Sequence, residues 1–284
     1  MGRLWSRMVR PLERGRAAPR IAGYPTSPNR ASSLHLRWEL PAGAGAVVAA
    51  SAALVVETTP PVPDLYFWAL QASFIDRANR HCGGGHVGLQ WHWQHPGSRA
   101  VNWGGYGPDG RVLDGSPSPL PSATDNPHTR DLWWDPGQSY TLSIERAAEG
   151  GWLGAVGGVR VRTLAAGGDR LDALMVWSEV FAPCDAPPVA VRWSGFRATT
   201  APGRVVAPVA VHVNYQRHED GGCDNSTGRW PTATPCARSP APSDRYPRAP
   251  ACRSARPDSD RAVRVASTRA RIAGRRPRRS RQRV

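Results

Sequence analysis

Between residues 34 and 228 apolar side chains recur at every second position in short runs. The clearest run is Val87-Gly88-Leu89-Gln90-Trp91-His92-Trp93-Gln94. Val87, Leu89, Trp91 and Trp93 fall on one side of an extended chain there, and Gln90, His92 and Gln94 on the other, the period of a half-buried β-strand. Similar β-rich stretches cover 34–40, 46–56, 65–74, 101–106, 139–146, 152–164, 173–181, 189–197 and 205–215. Turn signals separate them: Pro108-Asp109-Gly110, Asp114-Gly115, Asp135-Pro136-Gly137 and Gly167-Gly168. The Ala-rich stretch 42–56 competes for helix, but its Val pairs favour a strand, and Pro60, Pro61 and Pro63 end it either way. Around ten short strands without an amphipathic helix predict an all-β protein, a β-sandwich of the concanavalin or jelly-roll kind.

Composition changes this picture at the two ends. The chain has 284 residues and a formal net charge of +15, and every basic residue is Arg, the bias a coding region rich in G and C produces. Residues 1–37 carry a net +7, residues 38–228 a net −5 and residues 229–284 a net +13. The basic excess therefore belongs to two Arg/Pro-rich ends, which lack the apolar surface needed to offset the entropy of ordering. The expected division is a disordered basic extension over 1–33, a β-sandwich over 34–228 and a disordered tail over 229–284. Three readings of the tail compete: a solvated segment, a polybasic arm for nucleic acid or an anionic surface, and the product of a shifted reading frame.

The uncharged window 40–56 is 17 residues long and rich in Ala and Gly. It falls short of the roughly 18 or more apolar residues of a membrane helix, so no transmembrane span is expected. It also begins too late for an ordinary signal peptide. Of the five cysteines, Cys82, Cys184 and Cys223 lie in the β-rich part. Cys184 with Cys223 is the favoured disulfide and Cys82 with Cys184 the second, while three thiols remain an alternative. A disulfide fits a secreted or cell-surface protein.

Several words carry a resemblance: Tyr66-Phe67-Trp68-Ala69-Leu70-Gln71, Gly84-Gly85-His86-Val87-Gly88-Leu89-Gln90, Asn102-Trp103-Gly104-Gly105-Tyr106, Val176-Trp177-Ser178-Glu179-Val180-Phe181 and Val213-Asn214-Tyr215-Gln216. They look like a group of actinobacterial exported proteins, which resemble the bacterial family known as domain of unknown function 3472. The resemblance covers about residues 34–228 and implies a concanavalin-like sandwich without an assigned activity. His86 stands where that family has an aromatic residue.

Candidate chemistry is sparse. His81, Cys82, His86, His92 and His95 cluster in sequence, but their spacing matches no zinc signature, so neither metal nor cofactor is expected. A Gly-rich turn with surface histidines explains the cluster instead. Ser178 lacks the Gly-x-Ser-x-Gly context of a nucleophile. Glu145, Glu149, Asp169, Asp172, Glu179 and Asp131 form no paired-carboxylate word of a glycosidase.

Tryptophan is the remaining signal, with 12 in the chain. Rings filling the sandwich account for most of them, but stacked aromatics with polar neighbours also make ligand surfaces. The candidates for such a surface are Trp91, Trp93, Trp103, Tyr106, Trp133 and Trp134, with Gln90, His92 and Asn102 as polar companions. Trp133 and Trp134 are adjacent and cannot both be buried on one strand face. The expected function is non-catalytic binding of a polysaccharide or cell-envelope glycan by these aromatics. The alternatives are a polysaccharide-active enzyme with dispersed acids and binding of nucleic acid or an anionic surface by the tails, with no specific nucleic-acid partner expected.

Overall fold

A computed structural model describes residues 20–224 and the backbone of 226–229 and 263–267. The described strands are β1 (Ser32–Glu39), β2 (Val47–Val56), β3 (Tyr66–Ile75), β4 (His81–Trp91), β5 (Arg99–Tyr106), β6 (Thr129–Asp131), β7 (Ser139–Arg146), β8 (Trp152–Val156), β9 (Val159–Leu164), β10 (Arg170–Val180), β11 (Ala190–Thr200), β12 (Arg204–Val206), β13 (Ala210–Tyr215), β14 (Ser226–Arg229) and β15 (Val263–Ser267). The protein is all-β, and the strands form two antiparallel layers. The first runs β13-β1-β10-β3-β4-β5-β6; the second runs β14-β15-β11-β2-β7-β8-β9, with β12 also on β11. Among the described strands a single pairing, Leu171 with Val47 at the bulged start of β10, joins the layers.

Alternation decides which side chains lie between the layers. Leu34, Leu36 and Trp38 of β1, Tyr66, Trp68, Leu70 and Phe74 of β3, and Val87 and Leu89 of β4 meet Leu54 and Val56 of β2, Leu142 and Ile144 of β7 and Trp193 of β11 in one core. The intervening residues of the first layer, among them Gln71, Gln90, Asn102, Trp177 and Glu179, project from its other face. That outer face carries the candidate site.

The predicted stretches map onto these strands with three differences. The run 152–164 is a hairpin, because Gly157 and Gly158 take positive φ and turn the chain between β8 and β9. The run 205–215 divides into β12 and β13. The expected alternation through Gln94 stops at Trp91, where the chain bends and His92 N–H bonds to Ser98 O; β4 extends upstream instead, through the glycines expected to form a turn. Those glycines fit because a Cβ on Gly85 would lie 2.6 Å from the Trp103 ring.

Cys184 and Cys223 form a disulfide, while Cys82 is free. Residues 20–31, expected to belong to the basic extension, pack on this end: Thr26 N–H bonds to Gly221 O, Cys184 N–H to Gly23 O, and Ala31 is fully buried. Backbone 263–267 pairs with β11; the rest of the expected tails lies outside the described residues. No described helix is long and apolar enough to cross a membrane.

Candidate functional site

Strand register sets three rows across the outer face of the first layer. One row runs Ser33, Glu179, Phe67, Gln90, Ala100, Asp131; the next His35, Trp177, Ala69, Gly88, Asn102, Thr129; the third Arg37, Met175, Gln71, His86, Gly104. The middle of this face is floored by Ala69, Gly88, Ala100 and Gly104, all buried. Over the floor stand three rings edge to face. Phe67 lies 4.8 Å from Trp177 and 5.5 Å from His86, and His86 lies 5.7 Å from Trp177. The Trp177 indole N–H donates to Gln71 Oε1 at 2.9 Å. Desolvation among these rings, with His128 nearby, pushes the His86 pKa down to about 4, so its ring stays neutral above that pH.

Beside the floor lie buried polar groups with open hydrogen-bonding capacity. Gln90 is 5% exposed and its Oε1 has no partner; Asn102 is 7% exposed and its Oδ1 has none, although its Nδ2 donates to Thr129 Oγ1 at 2.9 Å. His95 Nδ1 sits 2.6 Å from Asp131 Oδ1, and its buried Nε2 is also without a partner. With Nδ1 engaged by Asp131, Nε2 is the ring nitrogen left open to a further partner. The His128 ring lies against Gly104, with Nδ1 unpartnered. An unpaired buried polar atom costs about 1–3 kcal/mol, so four of them on one side of one face mark a place where a bound group would restore stability.

Glu179 occupies the far end of the first row. It accepts from Asn29 Nδ2 at 3.1 Å and Ser33 Oγ at 3.4 Å. Burial raises its pKa, and those two hydrogen bonds only partly offset the shift. Folding therefore favours the protonated carboxyl. The resulting stabilisation is complete below the ordinary value of 4.5 and is lost as pH climbs through the raised folded value. Glu179→Gln is expected to remove this dependence. In urea melts from pH 4 to 7, wild type should lose stability relative to the variant above about pH 4.5 and then level off; parallel pH profiles would contradict it.

The other sequence candidates separate. Trp103 and Trp134 are fully buried between the layers, and the half-buried Trp91 packs on the same core with its indole N–H on Val62 O at 3.2 Å. Trp93, Trp133 and Tyr106 are exposed. Trp133 stacks on Arg99 at 3.9 Å, at the start of β5, whereas Tyr106 ends that strand, about 23 Å away at the usual rise per residue. The half-buried His92 rests against His95 at 4.9 Å. Gln90 and Asn102 belong to the outer face, and Tyr106 falls on that same side of β5, two positions beyond Gly104, while Trp133 lies at the strand's other end. Glu145 lies on β7 in the other layer, and Glu149 is held by Arg160 and Thr163. Asp169 and Asp172 flank the start of β10. Among the described residues no three His, Cys, Asp or Glu side chains group as a metal site.

The sequence pattern missed the His95–Asp131 pair and the row from Glu179 to Asp131. A usable signal existed in β10, where Met175, Trp177 and Glu179 alternate with Val176, Ser178 and Val180.

No family model matches this chain, and no curated protein matches it. Among solved structures, the chain is similar to Scytalido-glutamic peptidase with a peptide based transition state analog, at 9% identity and a TM-score of 0.40, over 70% of this chain and 93% of that one. It is also similar to SCP-B, a member of the eqolisin family of peptidases in a complex with the tripeptide Ala-Ile-His, at 10% identity and a TM-score of 0.35, over 65% of this chain and 98% of that one. The expected glycan function is corrected: the similar solved structures are peptidases, and of the expected aromatic surface Trp103 and Trp134 are fully buried in the core.

Proposed function

We propose that the outer face of the first layer binds an extended peptide and presents it to the Glu179 carboxyl for amide hydrolysis. The observation that carries this reading is the pair of buried, unpartnered amide oxygens on Gln90 and Asn102. Gln90 lies opposite Ala100 and Asn102 opposite Gly88, which makes the two side chains diagonal neighbours on adjacent strands. Such neighbours stand about 7 Å apart. An extended peptide offers N–H groups on one side at every second residue, a repeat of about 6.7 Å, so two successive same-side N–H groups match the two acceptors.

Glu179 supplies the chemistry. Its carboxylate takes a proton from a water whose oxygen adds to the amide carbon, and the protonated carboxyl then delivers that proton to the nitrogen as the C–N bond breaks, leaving an acid and an amine. The elevated proton affinity suits both steps in mildly acidic solution. The disulfide supports export as the setting. The resemblance to the domain of unknown function 3472 family fits the same site, since its most specific word contains both Gly88 and Gln90.

The test uses the full chain with a mixture of uncharged hexapeptides between pH 4 and 7. Binding is followed by ligand-observed NMR and cleavage by mass spectrometry. Gln90→Met is expected to stabilise the free protein by about 1 kcal/mol, because an unpaired acceptor is removed, and to weaken peptide binding at least about tenfold, the equivalent of one hydrogen bond. Glu179→Gln is expected to bind peptide and leave it intact. Absence of binding to wild type overturns the reading, and cleavage retained by the Glu179 variant removes that residue from the reaction.

A further inference from the structure

A second place in the molecule has open hydrogen-bonding capacity, on the opposite side of the same strand. Ser178 precedes Glu179 in β10 and points between the layers. There it helps line a cavity of about 50 Å³ at the disulfide end of the sandwich, partly open to solvent. Tyr66 contributes to the same wall. Tyr66 is 2% exposed and Ser178 7% exposed, and neither hydroxyl has a hydrogen-bond partner. Apart from Ser32, whose Oγ accepts from Cys223 N–H, the remaining wall is largely apolar, with Leu34, Val180, Val189 and Val191, and the Cys184–Cys223 disulfide lies along it.

The chemistry of the wall selects an occupant. Two hydroxyl groups can both donate to one oxygen that carries two lone pairs, and a carbonyl oxygen is such an acceptor. Among the described residues no cationic side chain lines the cavity. Burial, with the Asp64 charge adding to it, raises the Tyr66 pKa to about 12, which keeps that hydroxyl a donor at any physiological pH. An anionic head would be desolvated without a counter-charge. The volume is about a third of that of an engineered cavity that accepts benzene, so the enclosed part takes a head of a few heavy atoms and any longer tail lies toward the mouth. We infer that this pocket binds a small neutral carbonyl compound, an amide or ketone with a short branched apolar tail, through the hydroxyls of Tyr66 and Ser178.

The test titrates the intact oxidised chain with isobutyramide and, separately, with isobutyrate, following the protein methyl resonances by NMR. Isobutyramide is expected to saturate at millimolar concentration, shifting the methyls of Val180, Val189 and Val191, with isobutyrate at least about tenfold weaker. Tyr66→Phe and Ser178→Ala keep the packing, and each is expected to weaken the amide about tenfold, one lost hydrogen bond. Ala186→Leu fills the cavity and should abolish the shifts. No saturable binding to wild type, equal binding of the two probes, or undiminished binding by the Ala186 variant overturns the inference. If the cavity-filling variant fails to fold, an unchanged affinity in both hydroxyl variants overturns it instead. None of these variants alters Gln90, Asn102 or Glu179, so the outcome is independent of the peptide site.

Discussion

Trp103→Ala is expected to lower the free energy of unfolding by about 3–5 kcal/mol, the usual range for deleting a buried indole. The ring is fully buried, and its indole N–H donates to Trp152 O at 3.2 Å. It fills a slot between two glycines from opposite layers. A Cβ on Gly85 of β4 would stand 2.6 Å from the ring, and one on Gly154 of β8 2.5 Å from it. Alanine at 103 therefore opens a void that neither glycine can fill and leaves the Trp152 carbonyl without its donor. Guanidinium melts check this: the midpoint should fall sharply while the slope is unchanged, the mark of lost stability without a change in unfolded-state compactness. An exposed ligand-binding ring would cost little on truncation, so a loss below about 1 kcal/mol would return Trp103 to the surface.

Replacing both Cys184 and Cys223 by alanine is expected to cost about 4 kcal/mol. Their separation of 39 residues sets the loop-closure entropy that the bond removes from the unfolded chain. The bond also locks the region where the N-terminal segment docks: Cys184 N–H donates to Gly23 O, and Cys223 N–H to Ser32 Oγ at 2.9 Å. Because both sulfurs are largely buried, a reducing agent should act slowly on the folded protein and fully once it unfolds. Thermal melts with and without reductant should separate for wild type and coincide for the alanine pair. Coincident wild-type melts would contradict a stabilising bond.

How legible each part was depends on where its information resides. Strand β7 is readable to the residue, because Leu142 and Ile144 alternate with polar neighbours between turn signals. Strand β2 is readable despite its alanines, since Val55, Val56 and the following prolines argue for extension. Strand β4 is only half readable. Gly83, Gly84 and Gly85 have turn composition, and only their close approach to β3, β5 and the Trp103 ring makes them strand residues. The outer face is harder still. Glu179 lies far along the chain from the hairpin that carries Gln90 and Asn102, and their shared surface follows from pairing registers that no local pattern encodes. Trp103 and Trp93 show the same limit. Both alternate on an apolar side, yet one lies in the core and the other beyond the end of its strand, because tertiary packing decides where alternation ends.

The first layer has a consequence for when it can assemble. Its interior strand β10 joins β1 on one side to β3 on the other, and Leu36 pairs with Val176 across about 140 residues of chain. Until residues 170–180 have been synthesised, β1 has no place beside β3. Its Leu34, Leu36 and Trp38 must wait without their core. Such long-range pairing makes folding slow, in the millisecond to second range or beyond. A nascent chain that exposes a strand edge and three large apolar side chains for that interval is open to aggregation.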